Sequence, residues 1–354
     1  MDLEGDGFGR RALLKTGALA ALAGCVSYPD GSTDRQGRGV DPTDAADDAS
    51  RAETPVGDGE TDQPTEPEPD DGTPDDRPVL EPPDPENPLE PRYDVVTHRT
   101  TYREPDDTAL ALEASVPDAH GPAPMLVFFA DEGWAGGRVI PQDYRDVFTR
   151  AGVATVGFEY RGRESASFAD PVRDAVAAVR WVRANGPDWE LDPDRVTLVG
   201  RDTGAHVAAL VAAAGTTDQF QPPDYDADAD VEVHALVGRA GIYDLRREDA
   251  CESPYGDFLG EDCDSEDTQL AASPAARVDE DHPPTLLFHG SEDEVVSPEE
   301  SRAYNEALQD AGLPVGYREI EGEGHDFMEN EDRARAVDED TVRFSFEAWG
   351  AAGE

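Results

Sequence analysis

Gly200-Arg201-Asp202-Thr203-Gly204 sets a single carboxylate between two glycines, directly after the apolar run Arg195–Val199 and at the start of the helical stretch Thr203–Ala214. A strand that turns sharply into a helix through G-x-S-x-G projects its central side chain from the tip of the turn, where a serine acts as nucleophile. Here Asp202 holds that position. A serine attacks an ester carbonyl because a histidine takes its proton and N–H donors receive the developing negative charge. A carboxylate needs no base, but on an ester carbonyl it would form a mixed anhydride, which is uphill. It suits displacement at carbon instead, where the intermediate is an alkyl ester that a histidine-activated water then cleaves. A second carboxylate and a histidine follow in the chain: Asp293 in His289-Gly290-Ser291-Glu292-Asp293-Glu294, and His325 in Gly322-Glu323-Gly324-His325-Asp326-Phe327. With His325 between Asp202 and Asp293, two carboxylates favour the imidazolium. A resting Asp202–His325 ion pair is therefore expected.

The elements that must position these residues alternate. Tyr93–Tyr102 and Ala109–Val116 carry period-2 patterns and suggest a leading antiparallel pair. Met125–Ala130 is a continuous apolar run, as in a strand buried on both faces. Further strands are expected at Val153–Phe158, Arg195–Val199, Val233–Ala240, Thr285–Phe288 and Val315–Ile320. Helices are expected at Pro141–Ala151, Asp170–Ala184 with Pro171 in its first turn, Thr203–Ala214, Pro298–Ala311 and Glu339–Trp349. Asp170 and Asp174, four apart on one helix, read as a solvated face. Strands alternating with helices give an α/β domain, a mainly parallel sheet of about eight strands with helices on both faces.

With the elbow, the acid segment and the histidine segment in that order on predicted strand ends, residues 93–354 resemble the α/β-hydrolase fold, esterase/lipase group, near its hormone-sensitive-lipase-like and feruloyl-esterase-like members. The resemblance implies Asp202 at the nucleophile position, Asp293 as triad acid and His325 as base. It also aligns that group's H-G-G-G-W oxyanion loop with Ala130-Asp131-Glu132-Gly133-Trp134, and places Asp131, Glu132, Gly133, Trp134 and Thr203 around the pocket. Asp131 and Glu132 depart from glycine, and their carboxylates oppose a developing oxyanion. Haloalkane dehalogenases and epoxide hydrolases of the same fold use an aspartate nucleophile. Only the acidic stretch 218–230 stands where their cap domain would lie. Two readings stay open: a hydrolase of a small ester-type substrate or, through Asp202, of a C–halogen or epoxide bond; and an inactive hydrolase fold retained for binding. Trp134 either lines the pocket or packs the loop. His206 reads as packing, and His289 as a loop-shaping residue.

Charge bounds the partners. The chain has 80 Asp and Glu against 29 Lys and Arg, a formal charge of −51, and its single lysine is Lys15. Acid spread along the whole length suits solubility in high salt, where repulsion is screened within about 3 Å at 1 M. An acidic patch for a cationic partner is the weaker alternative. Nucleic acid, whose phosphates require Lys and Arg, is excluded as a partner; a small molecule is expected. No phosphate loop, cofactor motif or metal-ligand spacing stands out.

Gly9-Arg10-Arg11-Ala12-Leu13-Leu14-Lys15 is a twin-arginine pattern, followed by a short apolar run that ends Leu22-Ala23-Gly24-Cys25. The run is far shorter than the roughly 20 residues of a spanning helix and reads as an export signal. The ending resembles a lipobox, so residues 1–25 are expected to be a lipoprotein signal, with Cys25 lipidated on the outer face of the membrane. Residues 26–92, rich in Asp, Glu, Pro and Thr, are expected to be a disordered spacer. Cys251 and Cys263 remain, twelve apart, and in an oxidising exterior they can form a disulfide.

Overall fold

The computed structural model describes residues 75–131, 133–165, 167–223, 230–252 and 254–352. The signal, Cys25, most of the spacer and Glu132 lie outside the described residues. The folded unit contains eight strands: β1 (Val95–Arg103), β2 (Leu110–Pro117), β3 (Ala123–Phe129), β4 (Ala154–Phe158), β5 (Leu191–Arg201), β6 (Ala235–Arg239), β7 (Thr285–Gly290) and β8 (Val315–Ile320). They form one sheet in the order β1-β2-β4-β3-β5-β6-β7-β8. β2 pairs antiparallel with both β1 and β4, and every other pairing is parallel.

Burial on both sides explains the unbroken apolar runs. Every residue of β3, β4, β6 and β7 is buried. On one face α1 (Gln142–Arg150) and α7 (Glu331–Ala352) bring Phe148, Val337, Val342 and Phe344 against Leu126, Val199 and Phe288. On the other, α2 (Ala169–Asn185), α3 (Asp202–Ala214) and α6 (Glu299–Asp310) pack Val172, Val179, Val207, Tyr304 and Leu308 into a core with Val127, Leu198 and Leu287. Two short helices, α4 (Pro254–Leu259) and α5 (Glu266–Ala271), lie in the connection between β6 and β7. The closing helix starts eight residues before the expected Glu339.

Two expectations change. The spacer expected to reach residue 92 ends earlier. The N–H of Leu80 bonds the carbonyl of His120, Arg77 pairs with Glu190 at 2.6 Å, and Leu89 is buried against the α1 face. Scattered apolar residues in a proline-rich frame suffice because one backbone bridge to His120 and arginine supply the rest. The supposed solvated face of α2 is covered as well. Asp174 is fully buried, bonded by Arg103 of β1 and by Arg161, whose Nε lies 2.8 Å away, while Asp170 pairs with Arg173 at 3.0 Å. A buried carboxylate persists only when paired, and these cations come from the end of β1 and from just beyond β4.

Candidate active site

The elbow fixes where residue 202 points. β5 runs straight into α3, and the junction residue Asp202 has φ 48°. A non-glycine side chain in the left-handed region is uncommon, with Asp among the better tolerated. The turn closes because both flanking positions lack a side chain. A Cβ on Gly200 would lie 2.5 Å from the carbonyl oxygen of Gly204, and one on Gly204 would lie 2.4 Å from that of Phe129. The backbone N–H of Thr203 favours the charged form of the Asp202 carboxylate. Burial raises the pKa of Asp202, opposed by His325, by the Thr203 N–H and by Arg201, and assisted by Asp131. The Thr203 hydroxyl is buried without a hydrogen-bond partner among the described residues.

The acid and the base meet across the loops after β7 and β8. Asp293 Oδ1 accepts the N–H groups of Val295 and Val296 at 2.8 and 2.9 Å, and Oδ2 accepts Nδ1 of His325 at 2.8 Å. His289 Nε2 lies 3.2 Å from the same oxygen, while its Nδ1 bonds the Ser301 hydroxyl at 2.7 Å. Burial alone would raise the pKa of Asp293; hydrogen bonds from His289, His325, Val296 and Val295 outweigh it and hold the carboxyl well below its ordinary range. The pKa of His325 is raised, chiefly by its hydrogen bond to Asp293, against burial, with the charges of Asp293 and Asp202 adding to the rise and Arg201 opposing it. The direct Asp202–His325 ion pair expected from sequence is not among the contacts of the described residues. Nδ1 turns instead to Asp293, which offers an oxygen at hydrogen-bond distance, and Asp202 acts on the ring through space. Nε2 is left for proton chemistry.

The loop after β3 is shaped by packing. Gly133 and Trp134 both have φ 57°, and Trp134 is only 4% exposed. Its indole N–H donates to His206 Nδ1 at 3.1 Å, and its ring stacks on Phe258 with Tyr255 edge-on. His206 Nε2 lies 2.8 Å from the carbonyl of Ala272. Trp134 thus packs the loop. Phe258 and Tyr255 reach it from α4, and the Cys251–Cys263 disulfide brackets that helix. The described part of the stretch 218–230 does not supply this wall; Phe220 is buried beside Phe168, near α2.

Full burial holds the pKa of His206 down at about 4. The unfolded chain binds its proton near pH 6.5. Between those values the unfolded state holds more protons, so stability is lost as pH falls from about 6.5 toward 4, by up to about 3 kcal/mol. Urea midpoints measured from pH 7 to 4.5 are expected to fall less steeply in His206→Gln than in the parent. Equal slopes would show that His206 titrates normally.

Two residues of the site carry no motif signal. Arg201, at the variable position of the elbow, contacts Asp131 Oδ2 at 2.8 Å and reaches Asp326 and the carbonyl oxygen of His325. Tyr255 lines a groove of about 560 Å³ with Asp293, Glu294, Arg247 and Glu300. Burial, Glu300 and then Asp202 raise its phenol pKa, which places it within the field of the elbow carboxylate. Both groups are located by chain crossings distant in sequence. Among the described residues no cluster of His, Cys, Asp and Glu is arranged to hold a metal ion.

A mainly parallel sheet with a nucleophile elbow after β5, an acid after β7 and a histidine after β8 defines an α/β-hydrolase of the esterase/lipase type. The BD-FAE family model matches residues 114–308, just over half of the chain, and the chain belongs to that family. Esterase LipQ of Mycobacterium tuberculosis is 31% identical over 214 residues, covering 58% of this chain and 50% of its own length. Esterase LipC of the same organism is 30% identical over 216 residues, covering 58% and 53%. The chain therefore spans about half the length of these relatives. A solved structure of Thermogutta terrifontis esterase 2 phosphoramylated by tabun superposes with a TM-score of 0.60 at 25% identity, covering 70% of this chain and 94% of that one.

Proposed function

We propose that this esterase/lipase-like domain hydrolyses a small molecule through a covalent Asp202 intermediate, acting at a carbon that bears a halide or an epoxide oxygen. A carboxylate at the tip of the elbow, at φ 48°, beside an Asp293–His325 pair at 2.8 Å carries the reading, and the Thr203 N–H favours its charged form. In a serine enzyme that donor serves the substrate's oxyanion. Here it serves the enzyme's own carboxyl group, which is where charge develops if the intermediate is an ester of Asp202. One carboxylate oxygen attacks carbon and the bond to the leaving atom breaks: a halide departs, or an epoxide ring opens to an alkoxide that stays on the enzyme-bound alkyl group. The ester is neutral, so His325 loses one of the charges that held its proton; that proton passes to the alkoxide or to solvent. Nε2 then removes a proton from water, the water oxygen attacks Cγ of Asp202, and the oxyanion forms on the Thr203 N–H. Collapse expels the alcohol, which takes the proton back from His325; the proton left on the Asp202 carboxyl group then passes to the neutral imidazole, and the carboxylate and imidazolium are restored. The esterases similar to this chain support a small-molecule substrate. Their ester chemistry fits Asp202 less well, because attack on an ester carbonyl would yield an anhydride.

A second reading, binding without turnover, draws on Arg201 and Asp131, which cross beside the elbow and put added charge at its mouth. Isotope labelling decides between the two. The full-length protein is turned over many times on 1,2-dibromoethane or styrene oxide in H₂¹⁸O, and the peptide containing Asp202 is weighed. The expected result is ¹⁸O in that peptide. Label in the product alone would mean direct attack by water, and no turnover with no adduct would leave the binding reading.

We also propose that the chain is exported and lipid-anchored on the outer face of the cell membrane, on the strength of the twin-arginine pattern and Cys25.

A further inference from the structure

Around the elbow, carboxylates outnumber cations. Asp131 comes from the loop after β3, Asp202 from the start of α3, Asp293 from the loop after β7 and Asp326 from the histidine loop. A serine at residue 202 would carry no charge, so the aspartate adds one to a site already acidic. Arg201 is the adjacent residue in sequence, and its guanidinium spans the gap between two of these loops. Nη1 holds Asp131 at 2.8 Å, while Nη2 holds Asp326 and lies 3.4 Å from the carbonyl oxygen of His325 itself. A planar fork can bond in two directions at once; a lysine ammonium offers the same charge as a single point.

We propose that Arg201 is a positioning residue: it ties the loop of His325 to the loop of Asp131 and supplies the counter-charge that lets a carboxylate occupy the elbow. This rests on Asp202 being the nucleophile. Among the described residues, the charged groups that act most on His325 are Asp293, Asp202 and Arg201, the last opposing the other two. Arg201 opposes the burial of Asp202 in the same way. The loops it joins bear the base on one side and Asp131, beside Asp202, on the other. A displacement of about 1 Å between such groups costs on the order of 10²-fold in rate.

The test uses the full-length protein, Arg201→Gln and Arg201→Lys, with folding checked by near-ultraviolet circular dichroism. Two quantities are read: the titration of His325 by ¹H–¹⁵N NMR, assigned with His325→Gln, and the rate at which alkylated Asp202 forms and clears on 1,2-dibromoethane. In Arg201→Gln, His325 is expected to titrate at higher pH than in the parent and the cycle to slow by about 10²-fold. Arg201→Lys keeps the charge but not the fork, so its titration should return to the parental position while the rate stays depressed. A purely structural arginine would lower the melting temperature and leave the His325 titration in place. Parental titration in Arg201→Gln overturns the counter-charge, and a parental rate in Arg201→Lys overturns the tie even if the glutamine variant does not fold. If the parent itself never alkylates, the nucleophile reading fails, and the titrations still decide whether Arg201 sets the charge state of His325.

Discussion

Full-length Asp202→Ser is expected to hydrolyse p-nitrophenyl acetate at least about 10²-fold faster than the parent chain, a gain of the size of one oxyanion donor together with a working base. Three features carry the expectation. The serine removes the carboxylate whose charge the Thr203 N–H favours, so that donor can serve the substrate's oxyanion. Asp293 already holds Nδ1 of His325 at 2.8 Å, so the acid–base pair needs no rearrangement. Removing the Asp202 charge also withdraws one contribution that raises the pKa of His325. More imidazole is then neutral at pH 7 and able to accept the serine proton. The new residue must adopt the φ of 48° that Asp tolerates better than Ser, so a loss of roughly 1 kcal/mol in stability should accompany the gain. Initial rates and urea midpoints for the two proteins, compared in high salt, check both parts. Equal ester hydrolysis by parent and variant would remove Asp202 from the reacting position.

His325→Gln should do the reverse, halting the cycle halfway. Attack by a carboxylate requires no base, so alkylation proceeds. Cleavage of the ester does require one, and its loss costs about 10²–10⁴-fold. Incubation with 1,2-dibromoethane is expected to leave one bromoethyl group per chain, on the peptide that contains Asp202, with steady-state turnover down by the same factor. In the parent, the ester-cleavage step should quicken as pH rises through the pKa of His325, because only neutral imidazole activates water. That pKa is lower in the alkylated enzyme than in the resting one, since the Asp202 charge is gone. His325 is expected to make the opposite contribution to the stability of the resting protein. A raised histidine pKa contributes stability that is present below the unfolded value near 6.5 and is lost as pH rises through the folded value. A variant that neither accumulates adduct nor slows would exclude His325 as the base.

What the sequence discloses here is what short stretches of chain decide for themselves. β3 is buried on both faces, and a run such as Met125–Phe129 has few other uses; the same holds for β6 and β7. The elbow is legible because both glycines stand in one five-residue motif: a side chain on Gly200 would strike the backbone of Gly204, and one on Gly204 the backbone of β3. The pairings are not legible in this way. Asp174 has the spacing of an exposed residue and becomes buried because Arg103 reaches it from β1, 71 residues away. Arg201 sits in a position the motif leaves open, and its partners Asp131 and Asp326 are set by the loops after β3 and β8. His325 turns to Asp293 rather than Asp202 by a choice of a few ångströms that spacing cannot make. Residues 77–92 pack on the domain although their composition is that of a spacer, because a buried Leu89, one bridge to His120 and the Arg77 ion pair are enough to hold them.

The left-handed backbone at residue 202 has a consequence for how such a protein changes over generations. The turn needs two glycines because a Cβ on either would strike the carbonyl oxygen of Gly204 or Phe129, and that requirement does not involve the side chain at its centre. The elbow is a socket, and the group it holds is an exchangeable part. Under the proposed mechanism, exchanging serine for aspartate in that socket turns acyl chemistry into alkyl chemistry with the sheet, the acid and the histidine untouched.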